Sequence, residues 1–522
     1  MEVAGERAGH NISFWERTAE KFRSAPLAAD LEIDVCVVGA GIAGMSVAYM
    51  LTREGRSVAV VDDGAVGSGM TGRTTAHLVN ALDDRYYELE SMLGEEAARL
   101  AAESHTAAIE RIAEIVRDER IDCDFERVDG YLFPPEGADP STIDKEYEAT
   151  LRARLLEVQR IPSPPVIQHV SGPALRFPRQ AQFHPLKYLN ALTALVTRWG
   201  GKIFTGNRVL KVTGGDVVRL ETREGQTITA RAAVIATNSP INDRLVIHSK
   251  QAPYTSYALG FRVEPGLIPH ALWWDTAETA AEDKQLFGPA PYHYVRLAFD
   301  GDHDVLIVGG EDHKTAQAFD FDARFANLEE WTRRHFPAAG EITDRWSGQV
   351  MEPVDGLAYI GRDAGGEKNV YVVTGDSGNG MTHGTIAGIL LTDLILGRGN
   401  PWAEIYEPKR KTLKPLVVGD YVKENANVVF QLRDYLTSGD VPEVAEIASG
   451  QGALVREGLK KLAVYRDENG VLHKMSAVCP HLKCIVRWNA TEKTWDCPCH
   501  GSRFDCTGTM LNGPSSSDLE PV

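Results

Sequence analysis

Residues 33–39, IDVCVVG, form an apolar run that stops at a cluster of glycines. A short apolar run bounded by turn residues reads as a buried strand. Residues 42–54 then carry apolar positions at helical spacing, and SVAVVDD (57–63) returns to a strand. Strand, glycine turn, helix and strand make one βαβ opening. Residues 88–118 alternate charged and alanine-rich faces at helical spacing, which predicts a solvated helical layer. Between 120 and 350, β-rich runs such as VVRLET, AAVIATN and DVLIVGG alternate with loops rich in Pro and Gly, as in a mixed-sheet domain. Residues 369–397 repeat the order strand, glycine turn, helix. From 401 to 450 the composition turns linker-like, yet Val422, Ala426, Val429 and Phe430 recur at helical spacing. That stripe predicts one packed helix bridging two domains. YRDENGVLH, within 454–478, predicts a hairpin centred on Asn469 and Gly470. There is no internal repeat, and no low-complexity stretch beyond 515–517.

Length adds a domain count: 522 residues exceed one core, and roughly three folding units is the expectation. The net charge of −18 argues against nucleic acid or an anionic membrane as partner. The first thirty residues carry charges throughout, with no apolar export segment and no twin arginine, so the expectation is a cytoplasmic protein without membrane insertion. Five of the seven cysteines lie between Cys479 and Cys506. In a cytosolic chain that clustering suggests metal more than a disulfide scaffold.

The glycine turn GAGIAG places Gly39, Gly41 and Gly44 directly after a strand and at the opening of a helix. Glycines there permit a tight turn, close approach of a pyrophosphate, and tight helix packing. The helix start at Ile42 and Ala43 offers free N–H groups and a positive dipole end to phosphate oxygens. An acid ending the second strand accepts from ribose hydroxyls, and Asp62 stands there with Asp63 beside it. Together these residues point to a dinucleotide.

GSGMTGRTTAHLVN (67–80) separates the flavin from the nicotinamide. With it, the first 400 residues resemble the D-amino-acid-oxidase/glycine-oxidase family of flavoproteins. The resemblance implies FAD, wrapped at its pyrophosphate by Thr71, Gly72, Arg73, Thr74 and Thr75. It further implies Val209 beside the adenine, and Ala236 and Thr237 at the later strand-turn near the pyrophosphate. GDSGNGMTHG resembles the family's closing motif at the flavin ring. Gly378, Asn379, Gly380, Met381 and Thr382 open a helix whose dipole would stabilise negative charge on reduced flavin. One departure stands out. Amino-acid oxidases of the family bind the substrate carboxylate with an arginine in W-x-G-x-R, and RWSGQV puts Val350 at that place. Arg345 and Arg296 are the nearby alternatives. PYHYVRL offers His293, Tyr294 and Arg296 as pocket candidates, with alternation setting His293 on one face and the other two opposite.

Near the C-terminus, AVCPHLKC and WDCPCHG make C-x-H, a gap of fifteen residues, then C-x-x-H. This resembles the Rieske ferredoxin fold, over about residues 440–522. The resemblance implies a [2Fe–2S] cluster with Cys479 and Cys497 on one iron and His481 and His500 on the other. It also implies a disulfide between Cys484 and Cys499. Pro480 and Lys483 depart from the commonest loop pattern without touching a ligand position. A Cys₂His₂ zinc site is the alternative, although C-x-H is a poor zinc spacing.

The chain is thus expected to be an α/β FAD-binding Rossmann-type domain with an inserted α+β mixed-sheet substrate domain, followed by a small all-β Rieske domain. The expected boundaries are 1–420, a helical linker 421–439, and 440–522. The combined resemblance implies a flavin-dependent dehydrogenase or oxidase acting on a C–N bond of a small amine or amino-acid derivative. Electrons would pass from FAD to the cluster, and a one-electron acceptor or donor protein is a possible partner. Three other classes are weighed. A pyridine-nucleotide reductase needs a second dinucleotide motif, and VLIVGGEDH lacks the third glycine and the helix. A Rieske oxygenase needs a mononuclear iron motif that the histidines do not supply. A non-catalytic or redox-sensing electron-transfer protein stays open.

Overall fold

The computed structural model describes residues 8–135, 137–170, 172–242, 246–276, 292–411 and 414–522. Leu31–Val38 sits inside an eight-stranded sheet, parallel to Val58–Asp62 on one side and Thr227–Ile235 on the other. Val35, Cys36, Val37 and Val38 are buried, because both faces of a parallel sheet are covered. Lys202–Thr205 extends the sheet beyond Val58–Asp62, and Val370–Thr374 followed by Tyr359–Arg362 extends it the other way. The helices Ile42–Arg53 and Gly380–Ile395 cross closely on this sheet. A Cβ at Gly384 would come 2.8 Å from Ile42, and one at Gly388 would come 3.0 Å from Ser46. Those two glycines let the helices touch, which brings both N-termini to one place.

A second, nine-stranded sheet is antiparallel through Ile342–Pro353, Gln251–Val263, His303–Lys314 and His293–Asp300. Helix Phe321–His335 covers its outer face, burying Phe325 and Leu328 in a core with Trp273 and Phe261. Its inner face looks toward the first sheet across a large cavity.

Two small sheets of three and four strands follow, with their own core around Leu454, Trp495 and Phe504. The expected hairpin is present, with Arg466 opposite Leu472 around Asn469 and Gly470. The connecting helix runs Pro415–Gln431, and its packing differs from the sequence expectation. Val422, Ala426, Val429 and Phe430 all face outward; Val429 is 67% exposed. The buried side is a different one: Glu424 meets Lys314, Asn427 meets Gln317 at 2.7 Å, Val417 is buried in the main core, and Val428 packs on the C-terminal core. Helical periodicity marks a face but does not say which face has a neighbour. No helix among the described residues is long and apolar enough to cross a membrane.

Candidate functional site

The cavity begins at the glycine turn. Gly39 has φ +106, a left-handed conformation that favours glycine, and a Cβ there would meet the Ala236 carbonyl at 2.3 Å. Gly41 starts the helix Ile42–Arg53, whose Ile42 N–H donates to Thr71 Oγ1 at 3.0 Å. Gly44 does not line the cavity; a Cβ there would sit 1.9 Å from the Gly39 carbonyl, so its role is to close helix onto turn. Asp62 accepts from the N–H groups of Ala40 and Gly64, each at 2.7 Å, which fixes its carboxylate at the cavity wall. This is a cradle built for a chain without side chains at two positions, at the dipole end of a helix. It fits a dinucleotide pyrophosphate.

At one end the lining includes Asp63, Arg208, Val209 and residues 510–513 of the C-terminal region. Arg208 bridges them, reaching Asp63 at 2.6 Å and the Met510 carbonyl at 2.5 Å. Ala236, Thr237, Thr74 and Thr75 line the middle, while Gly72 and Thr382 stand behind the wall. Arg73 also lines it, but its guanidinium is committed: to Glu492 at 3.0 Å, to the Ser347 carbonyl at 3.2 Å, and to the Asn11 carbonyl. Burial opposes ionisation of Glu492, yet Arg73 and Arg503 hold its carboxyl below the usual range. Arg73 is therefore a clasp between regions 419 positions apart.

At the other end lie Gly378, Asn379, Gly380 and Met381, where the helix Gly380–Ile395 opens. Trp346, Gly348 and Val350 of strand Ile342–Pro353 face them, with an apolar side chain where the oxidases' arginine would be. Neither alternative arginine replaces it. Arg345 pairs with Asp322 at 2.5 Å and stacks on Phe325. Arg296 is fully buried away from the lining, where it donates to the carbonyls of Ala76 and Phe183 and stacks on Trp15. Tyr294 does line this end, its hydroxyl 2.5 Å from Ser256 Oγ. His293 points to the opposite face, bonded to Asp275 at 2.9 Å and stacked on Trp331 at 4.2 Å. Burial works against its charge, but Asp275 and Glu311 raise its pKa to about 9. The alternation read from the sequence holds, and it removes His293 from the cavity.

Acids complete this end. Asp83, Asp312 and Asp376 line the cavity. Burial raises all three, Asp312 to about 7 and Asp376 to about 6. His77 lines it too, pushed down to about 3 by burial and by Arg296.

The second site lies in the C-terminal loops. Cys479 and Cys497 are buried free thiols that face each other. The His481 N–H points at Cys479, and the N–H groups of Cys499 and His500 point at Cys497. The rings of His481 and His500 stand 5.0 Å apart. His500 Nδ1 is buried with no hydrogen-bond partner among the described residues, as an atom reserved for a metal would be. Cys484 and Cys499 form a disulfide that ties the two loops together. Lys483 takes φ +64, a left-handed backbone that favours glycine. This donor set of two thiolates and two imidazoles fits a Rieske cluster.

Strand Ile342–Pro353 touches both sites. In Ile342–Pro353, Trp346, Gly348 and Val350 line the cavity, while Ser347 turns the other way to Glu492 at 2.6 Å. Gln349 lines the cavity and also reaches the Gly501 carbonyl, next to His500, at 3.1 Å. His248, just before strand Gln251–Val263, packs on both proposed ligand histidines, 5.2 Å from His481 and 6.1 Å from His500.

The profile of the family described as "FAD dependent oxidoreductase" matches residues 34–394, and that of the "Rieske [2Fe-2S] domain" matches 438–522. The chain belongs to the FAD dependent oxidoreductase family, with a C-terminal Rieske domain. It is a flavin-dependent oxidoreductase whose cofactors are FAD and a [2Fe–2S] centre. It is 30% identical to "Putative Rieske 2Fe-2S iron-sulfur protein YhfW" of Bacillus subtilis (strain 168), over 98% of this chain and 97% of that one. Gamma-glutamylputrescine oxidoreductase of Escherichia coli (strain K12) is 24% identical, covering 74% of this chain and 89% of its own. Among solved structures, glycine oxidase from Geobacillus kaustophilus superposes with a TM-score of 0.58 at 18% identity, over 73% of this chain and 99% of its own.

Sequence reasoning about this flavoprotein missed His248, Gln349, Glu492, Asp83 and Asp312. None of them stands at a defining position of a motif. The one available signal was Gln349, one position before the arginine's usual place in a strand whose alternation is known.

Proposed function

We propose that this protein oxidises a C–N bond of an amine or amino-acid derivative and sends the electrons out through its cluster to a one-electron acceptor protein. Bound FAD takes two electrons as hydride, and a Rieske cluster passes them on singly. In this reading the glycine turn, Asp62 and the threonines 71, 74 and 75 hold the cofactor's phosphates and ribose. The helix opening at 378–382 stabilises negative charge at the flavin ring. Cys479 and Cys497 hold one iron, and His481 and His500 the other. The catalytic unit is 1–420, with 421–439 as connector and 440–522 as electron carrier.

The observation that carries the proposal is Gln349, which lines the cavity and also bonds the Gly501 carbonyl beside His500. The names of the amine-handling relative and of the glycine oxidase support C–N chemistry. The test is anaerobic titration of the holoprotein with a panel of amines, following flavin absorbance and the reduced-cluster EPR signal. Bleaching followed by the EPR signal is expected. In Cys497→Ser the flavin should stay bound and reducible, while transfer to a one-electron acceptor is lost. Undiminished transfer in that variant would overturn the relay.

A further inference from the structure

The substrate end of the cavity gathers buried acids, and the nearest cations, Arg324 and Arg85, stand behind its wall rather than in its lining. Asp312 is 7% exposed, it lines the cavity, and its Oδ1 has no hydrogen-bond partner among the described residues. Asp376 Oδ1 is buried in the same condition. Asp83 accepts from the Tyr292 hydroxyl at 3.0 Å. The lining arginines are engaged elsewhere, Arg208 with Asp63 and Arg73 with Glu492. Among the described residues, no lysine lines the cavity.

The backbone is bent to aim Asp312. Tyr257 stands opposite Gly310 but Thr255 opposite His313, so three steps on one strand face two on the other. Within this bulge Glu311 takes φ +60, a conformation that strains a non-glycine residue. Bulges re-aim side chains beside functional sites. Here Glu311 turns outward to His293, 3.5 Å away, and Asp312 turns inward near Ser256. The rings of Tyr292 and Tyr294, 5.3 Å apart, and Trp274 share that wall. Aromatic faces beside carboxylates suit an alkylammonium.

We propose that this end binds a positively charged group at the non-reacting end of the substrate, making the substrate a diamine or polyamine. Asp312 takes the charge, flanked by Asp83 and the two tyrosines. The proposal rests on reading the cavity as the flavin and substrate site. It also accounts for Val350: a cationic tail has no use for an arginine.

The test uses FAD-loaded full-length protein and three amines of similar length: putrescine, butylamine and γ-aminobutyrate. They end in an ammonium, a methyl and a carboxylate. Anaerobic calorimetry reads binding without requiring turnover. Putrescine should bind about ten- to a hundredfold tighter than butylamine, with γ-aminobutyrate weakest. Asp312→Asn should abolish that preference and leave butylamine unchanged, and Asp83→Asn should reduce it. Equal binding of putrescine and butylamine would overturn the proposal, as would a preference that survives both substitutions. A diamine preference without flavin bleaching keeps the cation site and ends the C–N oxidation reading. Bleaching by γ-aminobutyrate, equal in wild type and Asp312→Asn, keeps the oxidation reading and ends the cation site.

Discussion

At the end of the cavity shared with residues 510–513, Asp63 meets Arg208 and Asp62 meets two backbone N–H groups; along strand Ile342–Pro353, Arg73 meets Glu492. At the opposite end, Asp312 and Asp376 each keep one buried carboxylate oxygen, Oδ1, without a hydrogen-bond partner among the described residues. A buried charge without a partner costs stability, and a chain that keeps one has left its partner to a ligand. At the first end, charge holds the molecule together. At the second, it is held ready.

The largest effect expected from this contrast is at the clasp. Glu492→Gln leaves the Arg73 guanidinium buried without its carboxylate and should cost about 3–5 kcal/mol, read by denaturant unfolding of the holoprotein. A loss under about 1 kcal/mol would mean that the clasp is not a stabilising pair. Asp312→Asn should have the opposite sign. Its carboxyl is raised from the ordinary range to about 7 by burial, with Asp83 and Glu311 adding to the shift and Arg324 opposing it. The folded protein therefore keeps a proton that the unfolded chain has released, and stability falls as pH rises from the unfolded pKa through about 7. Asn removes this penalty, so the variant's advantage over wild type should grow by on the order of 4 kcal/mol between about pH 4 and pH 8. Melting curves at several pH values measure the gap. A variant less stable at high pH would show that Asp312 is answered after all. The smallest effect belongs to the strand that touches both sites. Gln349→Ala removes one hydrogen bond to Gly501, worth about 1 kcal/mol, and should slow cluster reduction while flavin reduction by substrate persists. Stopped-flow absorbance separates the two phases, and equal slowing of both would assign Gln349 to the flavin end alone.

The parts of this molecule that were legible early are those in which neighbouring residues dictate each other's backbone. Gly39, Gly41 and Gly44 fall where the strand must turn into a helix, and the sequence interval between them is the geometry. The alternation in His293–Asp300 assigned His293 and Tyr294 to opposite faces, as observed. The connecting helix shows the limit. Its periodicity was readable over Val422, Val429 and Phe430, but the neighbour lies against Glu424 and Asn427 instead.

The sequence by itself determined the two motif sets, because phosphate cradles and cluster loops are short-range objects whose donors must lie a few residues apart. Only the tertiary structure decided which charges are answered. Arg73 and Glu492 are far apart in the chain, and their pairing depends on how the Rieske loops dock on strand Ile342–Pro353. The same docking brings His248 onto His481 and His500. The bulge at Glu311 is set by pairing across strands, so Asp312 is an ordinary acid in the sequence and one with a spare buried oxygen in the fold. Coulomb energy depends on distance and local dielectric, and both are properties of the packed chain.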